Sequence, residues 1–473
     1  MLQDRGPFRR AALKGYISRM SKGEPDAIFD SNVATILEQQ GFVWEESPRS
    51  IYDPSQLYTA LERYATEWDQ FEKMDDAMRY GFGRAYKIFS KPKSSPYLRI
   101  LTDDEIPSKA LKLSKSAGLP MMTTKRESLT YSFDREQQVR LGLKAPNPCV
   151  AYKRTQAGNK TRLVWGYPLE MTIMESRFAR PLIQNFMTMA TPMAFGMTKC
   201  ELGAKLHRYF VDEPGTVVCM DYSKYDSTIS KTMINYAFRI MATWFPEQER
   251  ERLGWDIVRR YFVATPIVMP DGHLYTGKNH GVPSGSYFTQ MVDSIVNVAL
   301  TYALAYKFHF NFNHRSLYVL GDDVIVNVNG PIELERWAKY LKSFGLVLHD
   351  DEKTLVGRVH FLGAFWDMGK PDAPIQELVN KACFPEKFRD YQGKPDSGSE
   401  AVLRSYATSY LSAFRFLPTM PASIRSIDMP VEADDLSARW LSGSDKYLLE
   451  ERRLSMHVQR GVGPRTLAVR VLL

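Results

Sequence analysis

The chain is poor in cysteine and has no long apolar run. Its four cysteines, Cys149, Cys200, Cys219 and Cys383, lie far apart with no Cys-x-x-Cys pair. That spacing offers neither a disulfide framework nor a zinc ribbon, and it suits a reducing, cytosolic compartment. The most apolar stretch, Met291 to Phe310, is interrupted by Asp293, Asn297 and Lys307, so no membrane span is expected. The opening MLQDRGPFRRAALKGYISRM is basic without a continuous apolar core, which speaks against a secretory leader. There is no internal repeat and no long low-complexity tract.

What is present is ordinary for a packed protein: 473 residues, 44% hydrophobic and 25% charged. A largely disordered chain is excluded, and the length suggests about three domains or lobes. Lysine and arginine number 62 against 54 acids, a net charge of +8. The excess favours a polyanionic partner without singling one out.

Local patterns divide the chain. Asp53 and Pro54 open a helix whose Leu57, Leu61, Tyr64, Trp68 and Phe71 share one face, with Gly81 and Gly83 as its stop. The stretch from Pro96 to Pro148 reads as basic loop. Val217 to Met220 fits a buried strand, and Ile267 to Thr276 a hairpin about Pro270-Asp271-Gly272. A helix is expected from about Tyr287 to Phe308, a second hairpin over Leu317 to Val328, and a helix from Pro331 to Gly345. Gln392 to Ser399 reads as a linker before an amphipathic helix carrying Val402, Leu403, Tyr406, Tyr410, Leu411 and Phe414, ended by Pro418.

Three acids stand out by position. Asp221 follows the apolar strand in VVCMDYSKYD, and Asp322 and Asp323 occupy the hairpin tip in YVLGDDVIV. If the two strands are neighbours, Asp221 and Asp322 meet at their ends, where like charges repel unless a cation lies between them. Hard oxygen ligands suit Mg²⁺ or Mn²⁺. Two such ions about 3.5–4 Å apart serve in-line phosphoryl displacement. Gly-Asp is also ordinary turn chemistry, and taken alone this triplet reads first as a simple hairpin turn.

The motifs taken together resemble the palm and fingers of viral RNA-dependent RNA polymerases. In order they are KSAGLP (115–120), AYKRTQAGNKTRLVWGYP (151–168), DYSKYD (221–226), GVPSGSYFTQMVDS (281–294), LGDD (320–323), GLVLHDDEKT (345–354) and FLGAFWD (361–367). RLVWGYPLE, PSGSYFTQ and LGDD look most like the partitivirus group of double-stranded RNA viruses.

The resemblance implies roles. Asp221 and Asp322 bind the catalytic metals, with Asp323 as an outer ligand. Asp226 senses the ribose 2′-hydroxyl with Ser284 and Thr289, a hydrogen bond that a deoxynucleotide leaves unmade. Many such polymerases carry asparagine four residues after the threonine; here Asp293 holds that place and Asn297 follows one turn later, so either completes the network, or Asp293 is simply a satisfied helix carboxylate. Lys153, Arg154, Lys160 and Arg162 clamp the triphosphate, Arg162 foremost, while Lys153 and Arg154 equally fit a solvated basic face. Lys353 serves as general acid to pyrophosphate or forms a surface salt bridge. Ser116, Gly118 and Pro120 guide the template, and Ser284 and Gly285 form a flexible loop beside it.

The expected fold is therefore α+β, a right-hand polymerase with a central antiparallel palm sheet and encircling fingertips. The N-terminal segment and fingers take 1–180, the palm 181–235 and 277–370, a fingers insertion 236–276, and the thumb with C-terminal segment 371–473. The expected activity is template-directed RNA synthesis from nucleoside triphosphates with two Mg²⁺ or Mn²⁺ ions, replicating and transcribing a double-stranded RNA genome. Expected partners are template and product RNA and a viral capsid protein, with no membrane, in the host cytoplasm inside the virion. A reverse transcriptase is disfavoured because such enzymes usually place an aromatic residue where Asp226 stands. A non-catalytic RNA-binding or capsid-associated protein would explain the charge and the aromatic residues, but it needs none of Asp221, Asp226, Asp322 and Lys353.

Overall fold

The computed structural model describes residues 1–66, 74–349 and 354–425. At its centre is a four-stranded antiparallel sheet in the order Leu355–Val356, Thr216–Met220, Asp323–Val328, Leu317–Leu320. The β-branched run in the two middle strands suits burial: Val218, Ile325 and Val326 are inaccessible to solvent. Leu320 pairs with Asp323, so Gly321 and Asp322 alone make the turn. Gly321 adopts a φ of +67°, which glycine reaches without strain. Met220 pairs with Val324, so Asp221 emerges one residue beyond the ladder, beside the base of that turn.

The 20-residue helix Thr289–Phe308 is buried along nearly all of its length. Its polar members Asp293, Ser294, Asn297 and Thr301 are buried too, which explains how a run this apolar still carries them. Asp76–Phe89 crosses it at close range. Gly81 and Gly83, expected to stop the preceding helix, lie inside this one. A Cβ on Gly81 would stand 2.1 Å from the Ala299 carbonyl oxygen, so this glycine marks a helix crossing rather than a helix end. The helix begun near Asp53 spans Ser55–Glu62 and tightens into a turn of 3₁₀ helix at Arg63–Ala65. Leu57, Leu61 and Tyr64 are buried as expected, while Trp68 and Phe71 lie outside the described residues.

A second sheet runs Gln3–Pro7, His273–Thr276, Ile267–Val268, Cys149–Gln156, Lys160–Gly166. The stretch read as loop between Pro96 and Pro148 holds the helix Leu129–Arg140, whose weak apolar pattern hid it. Toward the C-terminus, Ile375–Cys383 and Pro395–Ala407 are helices. The second begins inside the expected linker and ends before Tyr410, because Pro395 suits a first turn and Ser399 bonds back to the Pro395 carbonyl. Both helices share a core with Ser31–Glu38 through Val33, Leu37, Leu378 and Leu403. Asp30 pairs with Arg389 at 2.6 Å and Arg49 with Glu386 at 2.9 Å. The N-terminal segment thus joins the second sheet at one end to the C-terminal helices at the other. Among the described residues, no helix is long and apolar enough to cross a membrane.

Candidate active site

Asp221, Asp226 and Asp322 line one cavity of about 450 Å³, and Lys160 and Arg162 line it with them. Asp221 and Asp322 arrive at strand ends of the central sheet and the basic residues from the strand Lys160–Gly166 of the second sheet. Between Asp221 and Asp226 the chain pairs Tyr222–Ser223 with Val347–Leu348, then turns through Lys224 at a φ of +55° into the short helix Tyr225–Thr228. That left-handed residue returns Asp226 to the cavity. His349, which follows the partner strand, donates its backbone N–H to the Asp221 carbonyl at 2.8 Å and also lines the cavity.

The acids share one field. Burial, then the charge of Asp322, pushes Asp226 up to about 7, against the pull of Arg162. Asp322 is likewise raised by burial and by Asp221, again with Arg162 opposing. Asp323 does not line the cavity, yet burial and its two acidic neighbours hold it well above the usual carboxylate range. Asp293 is raised by burial and by Asp226 and Asp322, and its Oδ1 is buried with no hydrogen-bond partner among the described residues. Clustered acids that disfavour one another's ionisation are the surroundings in which a cation is stabilising.

The hairpin tip is held from below. Asn297 donates Nδ2–H to the carbonyls of Gly321 and Asp322 at 3.0 and 3.1 Å, and Ser294 Oγ accepts from Gly321 N–H at 3.0 Å. Asn297 therefore spends its amide hydrogens on the turn, not on a ribose. Thr289 also departs from its expected place, since its hydroxyl sits against the Pro283 and Ser286 carbonyls at 2.7 and 2.9 Å and it does not line the cavity. Asp293 stands behind the wall, its carbonyl accepting from Tyr225 Oη.

Ser284 and Gly285 were expected in a flexible loop. Here Ser284 Oγ accepts from the Trp165 N–H at 3.3 Å, and a Cβ on Gly285 would stand 1.7 Å from the Trp165 carbonyl oxygen. The glycine is required by contact with the neighbouring strand. Glu175, which nothing in the sequence singled out, holds the same loop by accepting from Ser286 Oγ at 2.8 Å and Tyr287 N–H at 2.9 Å. Burial pushes its carboxyl up to about 8. The loop is tied to the first acidic motif as well, Val282 N–H donating to the Asp226 carbonyl at 2.7 Å.

Lys153 and Arg154 do not line the cavity. Lys153 pairs with Glu24 at 2.5 Å over the Tyr52 ring, and Arg154 approaches Glu386 at 3.8 Å. Both charges are engaged within the protein by the N-terminal segment and the C-terminal region. Ser116 is exposed, with Oγ 3.2 Å from Tyr152 Oη. Gly118, at a φ of +69°, lies against the Tyr167 carbonyl, and Pro120 follows a cis peptide bond. Lys353 lies outside the described residues.

Residues 109–371 match the family model described as viral RNA-dependent RNA polymerase, which is more than half of the chain. The chain belongs to the viral RNA-dependent RNA polymerases. Within that family it is 32% identical over 256 residues to the RNA-directed RNA polymerase of Cryptosporidium parvum virus 1, covering 50% of this chain and 47% of that protein. It is 31% identical over 144 residues to that of Atkinsonella hypoxylon virus, covering 28% and 21%. The chain thus matches about half the length, or less, of these curated relatives. These matches bear out the resemblance to the polymerases of partitivirus-like double-stranded RNA viruses.

The crystal structure of the RNA-dependent RNA polymerase of a human picobirnavirus superposes with a TM-score of 0.68 at 16% identity, over 97% of this chain and 92% of that one. The fold is accordingly the α+β right-hand polymerase fold. Several polymerase residues at the cavity escaped the sequence reading. Arg63 and Tyr64 come from the N-terminal segment and His349 from the strand that abuts Asp221. No local pattern pointed to Arg63, and His349 lies within GLVLHDDEKT, where only Lys353 was expected to act.

Proposed function

We propose that this polymerase joins ribonucleoside triphosphates on an RNA template by two-metal phosphoryl transfer. One observation carries the reading: Asp221 and Asp322, 101 positions apart in sequence, end neighbouring strands on a cavity that also bears Lys160 and Arg162. The donor set fits Mg²⁺ or Mn²⁺. Among the described residues, no three His, Cys, Asp or Glu side chains form a closed metal site, and Mg²⁺ commonly takes one or two carboxylates with water and substrate phosphate completing its shell. When bound, such ions activate the attacking 3′-hydroxyl and neutralise charge on the leaving pyrophosphate.

The chain's own residues do the rest. Asp221 and Asp322 hold the ions, with Asp323 behind them as an outer ligand. Arg162 and Lys160 bind triphosphate oxygens and stabilise the charge that builds on them. Asp226 accepts from the ribose 2′-hydroxyl, and Ser284 keeps a hydroxyl hydrogen with which to donate. Thr289 and Asn297 act at one remove, by fixing the Pro283–Ser286 loop and the Gly321–Asp322 turn. Lys353 is assigned as the proton donor to pyrophosphate, and Ser116, Gly118 and Pro120 as the template guide. The wider setting we assign is replication and transcription of a double-stranded RNA genome in the host cytoplasm, within a particle built of capsid protein. Of this setting, the double-stranded RNA genome is supported by the kinship with the Cryptosporidium parvum virus 1 polymerase.

The test is incubation of the purified chain with a defined single-stranded RNA, labelled ribonucleotides and Mg²⁺ or Mn²⁺. Asp322→Asn and Asp322→Ala should each lower synthesis by on the order of 10³ or more while template affinity stays within about twofold. Synthesis that survives both changes would remove the catalytic assignment. RNA binding with no synthesis by the unaltered chain would favour the non-catalytic RNA-binding protein.

A further inference from the structure

The helix Ser55–Glu62 and the turn after it present two stripes. Leu57 and Leu61 are buried in the core and Tyr64 is buried at the cavity wall, whereas Gln56, Thr59, Ala60 and Arg63, spaced three and four residues apart, form the stripe that lines the catalytic cavity. Gln56 has its amide committed, accepting from Thr161 N–H at 2.8 Å and donating to the Asn159 carbonyl at 2.9 Å. Ala60 leaves room beside it. Arg63 is the charged member of the stripe.

Its backbone is held on both sides. The Arg63 carbonyl accepts from His280 Nε2 at 2.8 Å, and the next carbonyl, that of Tyr64, accepts from Asn279 N–H at 3.1 Å. The Tyr64 ring packs edge-on against Trp165 and would collide with any Cβ on Gly281. The side chain of Arg63 has no comparable engagement. It makes no ion pair among the described residues, and its Nε is buried without a hydrogen-bond partner. Arg162, by contrast, already acts on Asp226 and Asp322. A half-buried guanidinium without a counter-anion is costly unless something else supplies one.

On the polymerase reading above, we infer that Arg63 is a nucleotide-binding residue: it meets the triphosphate of the incoming nucleotide together with Lys160 and Arg162. A triphosphate concentrates several negative charges within one small cavity, whereas an RNA strand brings one per nucleotide. The planar guanidinium suits two phosphate oxygens at once. The N-terminal segment thereby becomes part of the substrate site and not only a strap between the second sheet and the C-terminal helices.

The test compares Arg63→Gln and Arg63→Lys with the unaltered chain. Four quantities are read: affinity for a non-hydrolysable ribonucleoside triphosphate, affinity for the corresponding monophosphate, affinity for template RNA, and KM and kcat for the natural triphosphate. Arg63→Gln should weaken triphosphate binding and raise KM by about tenfold or more. Monophosphate affinity, RNA affinity and kcat should stay within about threefold, and Arg63→Lys should recover part of the loss. Unchanged triphosphate affinity, or equal loss for monophosphate, overturns the inference. A loss confined to RNA affinity overturns it too, and assigns Arg63 to the template backbone. If Arg63→Gln does not fold, Arg63→Lys decides, since the loss of fork geometry should still raise KM severalfold without moving kcat. An unaltered chain that binds triphosphate and synthesises RNA while Arg63→Gln matches it sinks the inference alone. An unaltered chain that neither binds triphosphate nor synthesises RNA sinks the polymerase reading and this inference with it.

Discussion

Asn297 donates both amide hydrogens to the turn that carries Asp322, one to the Gly321 carbonyl at 3.0 Å and one to that of Asp322 itself at 3.1 Å. The helix below the sheet therefore sets the height and tilt of the turn that carries the carboxylate proposed to hold a metal. Asn297→Leu preserves the bulk and removes both bonds, leaving two buried carbonyls unmet. It should cost about 1–3 kcal/mol in denaturant unfolding and lower kcat at least tenfold, with template affinity unchanged. Full kcat in a destabilised Asn297→Leu would show that the turn holds its own geometry.

Asp226 stands five residues after Asp221 and lines the same cavity. Removal of its carboxylate deletes the acceptor proposed for the ribose 2′-hydroxyl. Asp226→Ala should reduce the ratio of kcat/KM for ribo- over deoxynucleotide by about 10²-fold or more, mainly by losing ribonucleotide activity. An unaltered ratio would place sugar selection elsewhere.

The two glycines of the helix Asp76–Phe89 should respond with opposite sign. A Cβ on Gly81 would meet the Ala299 carbonyl at 2.1 Å, whereas one on Gly83 would meet nothing within 4 Å. Gly83→Ala should stabilise by up to about 1 kcal/mol, the helix-propensity difference. Gly81→Ala should destabilise by about 1–3 kcal/mol in spite of that gain, because the two backbones must part. Chemical denaturation of the two variants measures both, and equal signs would contradict the close crossing.

His280 gives the acid side of the stability curve a specific cause. Burial lowers its imidazole from 6.5 to about 4. A base depressed by folding contributes stability that is complete above pH 6.5 and is lost as pH falls through about 4. The unfolding free energy of the unaltered chain minus that of His280→Gln should accordingly be flat above pH 6.5. Below that it should fall by on the order of 2–3 kcal/mol toward pH 4. A difference independent of pH would mean that the imidazole is not kept neutral by the fold.

Several parts of this protein were determined by the sequence alone, because the forces that fix them act over a few residues. A β-branched run ending in Asp221, a glycine that allows the turn bearing Asp322, and an apolar stripe through Leu57 and Leu61 are local statements; the strand and the turn stand where the pattern put them, and the helix starts there but ends sooner than expected. The order of the motifs was legible for the same reason.

Tertiary structure decided what faces what. Asp293 and Asn297 lie one helical turn apart, and only packing against the hairpin sends the asparagine to the turn and leaves the aspartate behind the wall. Lys153 and Arg154 share a strand with no sign of the acids, Glu24 and Glu386, that claim them from distant parts of the chain. Gly81 looks like any helix terminator until Ala299 lies against it. Arg63 enters the cavity because a segment a hundred residues upstream of Arg162 docks along its strand. Contacts of that range depend on how whole elements bury their apolar faces together, and no window of neighbouring residues contains that information.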